Sequence, residues 1–511
     1  MNGTPLALAL AAATAAVLAW RWRALIRTWT WSEWLGASVL LAALVTLWLL
    51  VVTAVLGAPA INWVGARLAP TFGLVYGYRL YYPAGEGPIL NHVVGPASAL
   101  AFLPTTIFRT PTPAILAGAA LEIAYVCGPL LLFVWRAGAR KPADQPLALA
   151  CGIGACLLMA RYPGSYYWLS ILHADGPALG FGMLACAALV SADGTPPTTR
   201  ALVASAAAAV LAPWAKQTEA PLPIALVLGV WLVHGRALAV RYALIVAGVG
   251  VLVSAVFLAW FGAPMVFNMV EILRHHGWYQ PGIAGLAATF GSLLWNVRGV
   301  LALFAAAGVA SLVVAGDRSR WVAGSWMPAI LVALFLLPTS TLSANKIGGE
   351  AYALHSAYYL LAATAVLLVD VGRRAAPART LGWAFCVVAV LAAWQSGKCA
   401  AWNLRASPWQ NDNQLAYEFA LRHPGEAYFP WQPLASLLAE GRLYHFEYGM
   451  MDRFIAGYEP TPEHVRANLP PRLRWIAART RVWTFRYFPD YSAPVQLDEL
   501  PGWVVLTRPE S

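Results

Sequence analysis

The chain has 511 residues, of which 60% are hydrophobic and only 11% charged, and its formal net charge is +11. A soluble domain carries about 25% charged residues, and no soluble core of this length buries so much apolar sequence, so lipid must solvate much of it. The positive balance does not point to nucleic acid, because the arginines stand in short clusters between apolar runs, as the positive-inside rule describes.

About twelve segments approach the roughly 20 apolar residues that a membrane-crossing helix needs. In chain order they cover 5–20, 35–58, 112–135, 146–160, 177–192, 201–215, 219–234, 242–261, 299–315, 321–339, 356–371 and 380–396. The first has no charged leader and no clear cleavage site, and reads as a retained helix. Two longer mixed segments interrupt the series, 61–109 and 262–297. Alternate linkers carry Arg21, Arg23 and Arg27, then Arg136, Arg140 and Lys141, then Arg200, then Arg236 and Arg241, then Arg318 and Arg320, then Arg373, Arg374 and Arg379. These short basic linkers mark the cytoplasmic side, so both termini and the aromatic, Gly/Pro-rich loops face outward. The six cysteines, apart from Cys399, lie within apolar runs without metal or disulfide spacing and read as packing residues.

The expected fold is an all-α polytopic membrane domain over 1–396, followed by a small soluble α/β domain over 397–511. In that tail, 412–422, 432–440 and 462–469 read as helices, the last with Thr461 at its N-cap. Strands are expected over 426–431, 474–478 and 503–506.

Five outward segments carry candidate chemistry. In the first loop Glu86 stands between Gly85 and Gly87, near Tyr82, where a carboxylate approached closely by backbone suits a general base; the alternative is a solvated loop acid. His173 and Asp175 precede the fifth span, and Asp175 reads either as that helix's cap or as an active-site carboxylate. Lys216 and Gln217 lie between two apolar spans, beside Thr218 and Glu219, where ionisable groups are costly and mark function; the alternative is a lysine reaching to the interface. Arg274 and His275, followed by His276, form a compact cluster better suited to phosphate than to zinc. Lys346 and Glu350 flank a Gly-Gly pair at the outward start of the eleventh span, with His355 just beyond. Glu122 lies inside the third span and requires an internal partner.

Taken together, these features resemble the GT-C membrane glycosyltransferases, of the protein mannosyltransferase and aminoarabinose-transferase type. The resemblance rests on the acid of the first outward loop in Tyr82-Pro83-Ala84-Gly85-Glu86-Gly87-Pro88, on Val94-Gly95-Pro96, on His173-Ala174-Asp175, on Lys216-Gln217-Thr218 and on an outward C-terminal domain. The chain departs from that pattern in having Glu where Asp is usual, and an extra N-terminal helix. The resemblance implies a multi-pass protein of a bacterial inner membrane, with both termini and the tail domain periplasmic. It implies a polyprenyl-phosphate sugar as donor, and a glycan, lipid or protein hydroxyl as acceptor, with inversion; no cofactor is indicated, and a divalent metal is left open. Glu86 and Asp175 would be the catalytic carboxylates. Lys216, with Arg274 or Lys346, would neutralise the leaving phosphate, and His173, Gln217, His275, Glu350 and Tyr82 would line the substrate. The rings of Tyr78, Tyr81, Tyr82, Tyr166, Tyr167 and Trp168 suit either sugar stacking or an interfacial belt. A lipid-linked glycan transporter and a surface-polysaccharide polymerase or ligase are the competing classes; a transporter would more often show repeat symmetry, which the sequence lacks.

Overall fold

The computed structural model describes residues 31–90, 92–161, 172–190, 195–315, 321–349, 355–403, 408–479 and 483–508, with a few isolated positions before 31. Glu350 and the segment 162–171, which holds Tyr166, Tyr167 and Trp168, lie outside the described residues. So does most of the expected first span.

The described chain is mostly helical. The helices are α1 (Trp31–Gly57), α2 (Val64–Val75), α3 (Pro96–Ala101), α4 (Pro111–Gly138), α5 (Gln145–Arg161), α6 (Asp175–Leu189), α7 (Thr199–Ala215), α8 (Leu222–His234) and α9 (Arg236–Val266). They continue with α10 (Gly282–Asn296), α11 (Arg298–Ala315), α12 (Met327–Asn345), α13 (Ser356–Arg374) and α14 (Arg379–Asn403). Among the described residues, seven segments are long and apolar enough to cross a membrane: Trp34–Ala60, Pro111–Gly138, Pro142–Ala160, Arg236–His275, Arg298–Ala315, Met327–Asn345 and Ser356–Arg374. The bundle is therefore a helical membrane domain.

Burial sorts these helices. Helix α13 is the axis: it is buried from Ser356 to Gly372 and packs on α4, α5, α11, α12 and α14. Helix α9 is peripheral, with Leu244 70% and Val251 72% exposed, the surface that acyl chains would cover.

Both expected long loops contain helix. Segment 61–109 holds α2 and α3, and segment 262–297 holds α10 and a π-turn, Phe267–Glu271. The apolar run at 242–261 extends through this turn to His275, because Gly262 adopts φ +59° and redirects the helix instead of ending it.

Four basic residues of the short linkers, Arg136, Arg373, Arg374 and Arg379, lie at one end of the bundle. Arg373 and Arg374 bond Asp370 at the end of α13, Arg379 stands 3.7 Å from Asp144, and Arg136 donates to the Val190 carbonyl. Asp175, Lys216 and His355 lie at the other ends of the same helices. The 19 residues of α13 separate the two ends by about 28 Å at 1.5 Å per residue, close to the thickness of a bilayer core.

Helix α14 runs to Asn403, through the expected boundary at 397. Beyond it lies an α/β unit with α15 (Asp412–Arg422), β1 (Ala427–Tyr428), α16 (Pro433–Glu440), α17 (Glu447–Ile455), α18 (Pro462–Ala467), β2 (Trp475–Ala478), β3 (Ala493–Val495) and β4 (Val504–Thr507). The sheet order is β1-β2-β4-β3; β1 and β2 are parallel and the other pairs antiparallel. Every residue of β2 is buried, as a strand covered on both faces requires. Phe419, Phe429, Trp475 and Trp503 fill one face, and Tyr428, Tyr444, Ile476 and Phe488 the other. Thr461 caps α18 as expected, accepting from His464 N. Helix α17 and strand β3 were not expected from the sequence.

This unit is docked on the bundle. Tyr78 of the first loop accepts from Leu443 N (3.1 Å) and donates to the Gly441 carbonyl (3.2 Å). Phe446 N donates to the Ile89 carbonyl (2.8 Å), Ile89 N to His445 Nδ1 (3.0 Å), and His464 Nε2 to the Gly87 carbonyl (2.8 Å). Asn411 joins both parts: its Oδ1 accepts from Gln414 N (3.0 Å), capping α15, and its Nδ2 donates to Thr112 Oγ1 (2.8 Å) at the start of α4. Asn411→Ala should therefore lower stability by about 1–2 kcal/mol, measured by unfolding in detergent. Asn411→Asp keeps the cap and loses the donor, and should cost less; equal losses would show that the bond to Thr112 contributes most.

Candidate functional site

The site is built where α6, α7, α8 and α13 begin or end. Asp175 is the first residue of α6; Ala174 holds the cap position and makes no side-chain bond. The capping role expected for Asp175 is not realised, because its carboxylate is taken by three other side chains. Lys216 Nζ, just past α7, donates to Asp175 Oδ1 at 2.5 Å. His355 Nε2, just before α13, bonds the same oxygen, and His173 Nδ1 bonds Oδ2. His355 Nδ1 reaches Glu219 Oε1 before α8, and Tyr359 on α13 donates to Glu219 Oε2 (3.2 Å). Asp175, Lys216, Glu219 and His355 are all buried.

Charge and proton balance follow from these bonds. Both ring nitrogens of His355 face carboxylates, which only accept when ionised, so two protons lie among His355, Asp175 and Glu219. With both on the imidazole, two negative carboxylates face His355⁺ and Lys216⁺, and the cluster is neutral. That neutrality allows it to exist inside an apolar bundle.

Glu122, the acid inside α4, finds its partner here. Its Oε1 accepts from Gly176 N (3.0 Å). A Cβ at position 176 would lie 2.4 Å from that carboxylate, so only glycine allows α6 to start against α4 in this way. Glu122 thereby fixes the turn that presents His173 and Asp175.

The outward segments meet around this cluster. Gln217 Nε2 donates to the Val93 carbonyl of the first loop (2.9 Å) and to the Met269 carbonyl of the π-turn (3.3 Å). Asn268 donates to the Tyr82 carbonyl (3.0 Å). Lys346 donates to the Arg274 and His276 carbonyls (3.2 and 2.7 Å) and lies 4.3 Å over the Trp278 ring. In this structure Lys346 therefore ties two loops together. Arg274 and His275 are exposed, and His275 Nδ1 donates to the Glu271 carbonyl one turn earlier. Tyr82 is half-buried and accepts from Arg79 N. Glu86 is 64% exposed at a loop tip, 3.9 Å from Arg79, and is not joined to the buried cluster. The sequence-derived residues thus separate into a joined set, His173, Asp175, Lys216 and Gln217, and a peripheral set.

A cleft opens above the joined set, lined by Arg67 of α2, His92 and Ser98 of the first outward segment, His173, and Phe446 of the docked domain. Burial holds His92 down near 3, helped by the nearby Arg67 charge, so this ring is neutral. In the docked unit, Arg453 donates to the Ala84 carbonyl and to Asn268 Oδ1 (both 3.3 Å) and stacks on Phe267. Next to it, burial pushes the Asp452 carboxyl up to about 7, although Arg67 and Arg453 oppose the shift. His276 Nε2 stands 3.9 Å from Asp452. Arg67, His92 and the tail residues were missed from the sequence; a lone arginine in the apolar run of α2 was the available signal. Among the described residues, no group of three His, Cys, Asp or Glu side chains stands ready to hold a metal.

Two outcomes follow. Lys216→Met leaves Asp175 buried with imidazoles alone and should cost about 3–5 kcal/mol of stability, while adding Asp175→Asn should restore part of it. A double variant no more stable than the single, in denaturant unfolding, contradicts the pairing. For Asp452, the raised value means that protonation favours the docked state. Stability should therefore fall as pH rises from about 4 through about 7, and thermal unfolding of Asp452→Asn should lose that slope.

Compared with protein-family models, curated proteins and solved structures, the chain matches none. The functional reading rests on its own residues.

Proposed function

We propose that this chain is a membrane glycosyltransferase of GT-C type, which moves a sugar from a polyprenyl-phosphate donor to an acceptor hydroxyl on the outer face of a bacterial inner membrane. The observation that carries this reading is a buried carboxylate, Asp175, fixed by Lys216, His173 and His355 at one end of an apolar bundle and covered by a docked domain. The long spans, the shorter apolar helices α6, α7, α8 and α14, and the segment 5–20 together make the twelve crossings of this reading.

Depth supports a lipid substrate. Helix α8 has 13 residues, about 20 Å, so a site at its end lies inside the edge of a ~30 Å hydrocarbon core. A lipid phosphate reaches such a depth sideways from its own leaflet. Transfer turns a phosphodiester anion into a monoester dianion, so fixed cations near the cleft stabilise the transition state more than the ground state. Arg67 lines the cleft, and Lys216 stands behind Asp175; in this reading they supply that positive potential. Asp175 orients its neighbours and offsets positive charge that develops on them.

One observation favours a second reading. Lys216, Asp175, His355, Glu219 and Tyr359 form a continuous hydrogen-bonded run inside the bundle, which also suits proton-coupled transport of a lipid-linked glycan.

The test is transfer by the purified, full-length protein in detergent, with a panel of undecaprenyl-phosphate sugars. We expect glycosylated product from wild type without any ion gradient, and a fall of about 10²-fold or more for Asp175→Asn. Absence of product with every donor, together with pH-gradient-driven flux in proteoliposomes, would establish the transporter instead.

A further inference from the structure

Segment 262–297 was expected to be an outward loop, yet α10 fills its second half, and no charged residue occurs from Gly282 to Val297. Both ends of this helix lie at the end of the bundle that carries the site. Its start is tied to Asn345, the last residue of α12: Asn345 Oδ1 accepts from Gln280 N and from Thr289 Oγ1 (both 3.2 Å), and Asn345 Nδ2 donates to the Gln280 carbonyl (2.7 Å). This end of α12 stands beside the cluster, since Thr339 donates to the carbonyl of Thr218 (2.8 Å), close to Lys216 in the chain. The other end, at Ser325 and Pro328, shares a cavity with Arg140 and Val190. The finish of α10 is placed by α11, which follows directly and runs for 18 residues, about 27 Å, close to the full distance between the two ends of the bundle. Trp321, beyond that helix, lies 6.2 Å from Trp326 at the basic end, so Arg298 stands at the site end. A 15-residue helix with both ends at one level runs along the membrane and not through it.

The faces of α10 fit that placement. Gly285 and Leu293 are buried, while Ile283 is 87% and Trp295 66% exposed, with Ala287 also open. Its polar side chains, Thr289, Ser292 and Asn296, stand at i, i+3 and i+7, a single stripe, and every other position is Gly, Ala, Ile, Leu, Phe or Trp. Exposed aromatic residues mark both ends: Tyr279 before the helix, and Trp295, whose carbonyl accepts from Arg298 (2.6 Å) and whose ring lies 4.1 Å from that guanidinium. An open apolar face, one polar stripe and aromatic or cationic ends describe a helix that lies in a membrane interface. The helix that follows, α11, exposes Val309, Leu312 and Val313 along its span, so lipid already reaches the neighbouring element.

We propose that α10 is an in-plane helix seated in the leaflet at the site end, with Ile283, Ala287 and Trp295 against acyl chains and Arg298 at the level of the phospholipid phosphates. Its partner is the lipid surface itself. The seat bears on the buried cluster, because the segment that leads into α10 is tied to it. That segment carries the π-turn, whose Met269 carbonyl accepts from Gln217, the neighbour of Lys216. It also carries His276, whose carbonyl accepts from Lys346. The leaflet thus holds, through α10, the outer segment that Gln217 and Lys346 grip. The proposal is independent of the glycosyl-transfer reading and applies equally to a transporter.

Two measurements on the full-length protein, in nanodiscs of phosphatidylcholine and phosphatidylglycerol, test this. The first places nitroxide labels on Ile283→Cys, Ala287→Cys, Val313→Cys and Glu463→Cys, one at a time, in a Cys399→Ser background; Cys127, Cys151, Cys156, Cys186 and Cys386 are buried. Collision with oxygen, which concentrates in acyl chains, is compared with collision with a water-soluble nickel chelate. Val313, on the spanning α11, should favour oxygen, and Glu463, exposed on α18, should favour nickel. Labels at 283 and 287 should favour oxygen, at a shallower depth than 313. Nickel preference at both positions, as at 463, overturns the proposal. Shielding from both agents would mean that protein, such as a second copy of the chain, covers this face, and overturns it too. The second measurement needs no substitution. A phospholipid with a diazirine near the start of one acyl chain is photolysed with the unmodified protein, and peptides are read by mass spectrometry. Adducts are expected within 282–296; adducts on 299–315 with none on 282–296 overturn the proposal.

Discussion

A carboxylate removed from water must be paired where it stands, and in this protein that requirement organises the outer end of the bundle. Asp175 takes Lys216 from the end of α7, His355 from the start of α13 and His173 from its own turn. Through His355 the same network reaches Glu219 at the head of α8. Four helices therefore meet at one charge-balanced point. Neither partner set is dispensable: uncompensated charge at this depth costs several kcal/mol per ion, whereas a neutral, fully bonded group is tolerated.

The rest of the site is arranged around that point. Glu122 sets the turn, Gln217 ties the first outward segment to the π-turn, and Arg453 carries the C-terminal unit onto both. The tail is thus a wall of the cleft and not an appendage. Its Phe446 lines the same cleft as His173 and the Arg67 guanidinium. A pocket that brings a guanidinium and an oriented imidazole together at the end of an apolar bundle is suited to reactions in which a phosphate departs.

Much of this was legible in the sequence, for specific reasons. The apolar runs showed the helices because a bilayer demands uninterrupted stretches, and Thr461 showed α18 because its cap is local. Asp175, Lys216 and Gln217 stood out because ionisable and amide groups are rare beside apolar spans. What was not legible depends on distance in three dimensions. Nothing local pairs Asp175 with His355, 180 positions away, or Glu122 with Gly176. Glu86 looked catalytic because glycines flank it, yet flanking glycines serve an exposed loop tip equally well. Lys346 looked like a phosphate ligand, yet its ammonium is directed at two carbonyls and the Trp278 ring. Helix α17 was missed because its polar and aromatic residues face partners on both parts of the molecule.

The most direct test is where a lipid phosphate binds. A cryo-EM structure of the protein in nanodiscs with undecaprenyl phosphate should place the phosphate in the cleft, in contact with Arg67 and beside His173, with the polyprenyl chain leaving between helices toward lipid. A phosphate found instead on the exposed face at Arg274 and His275, with the cleft empty, would contradict the claim that the buried Asp175 cluster is the centre of this protein's chemistry.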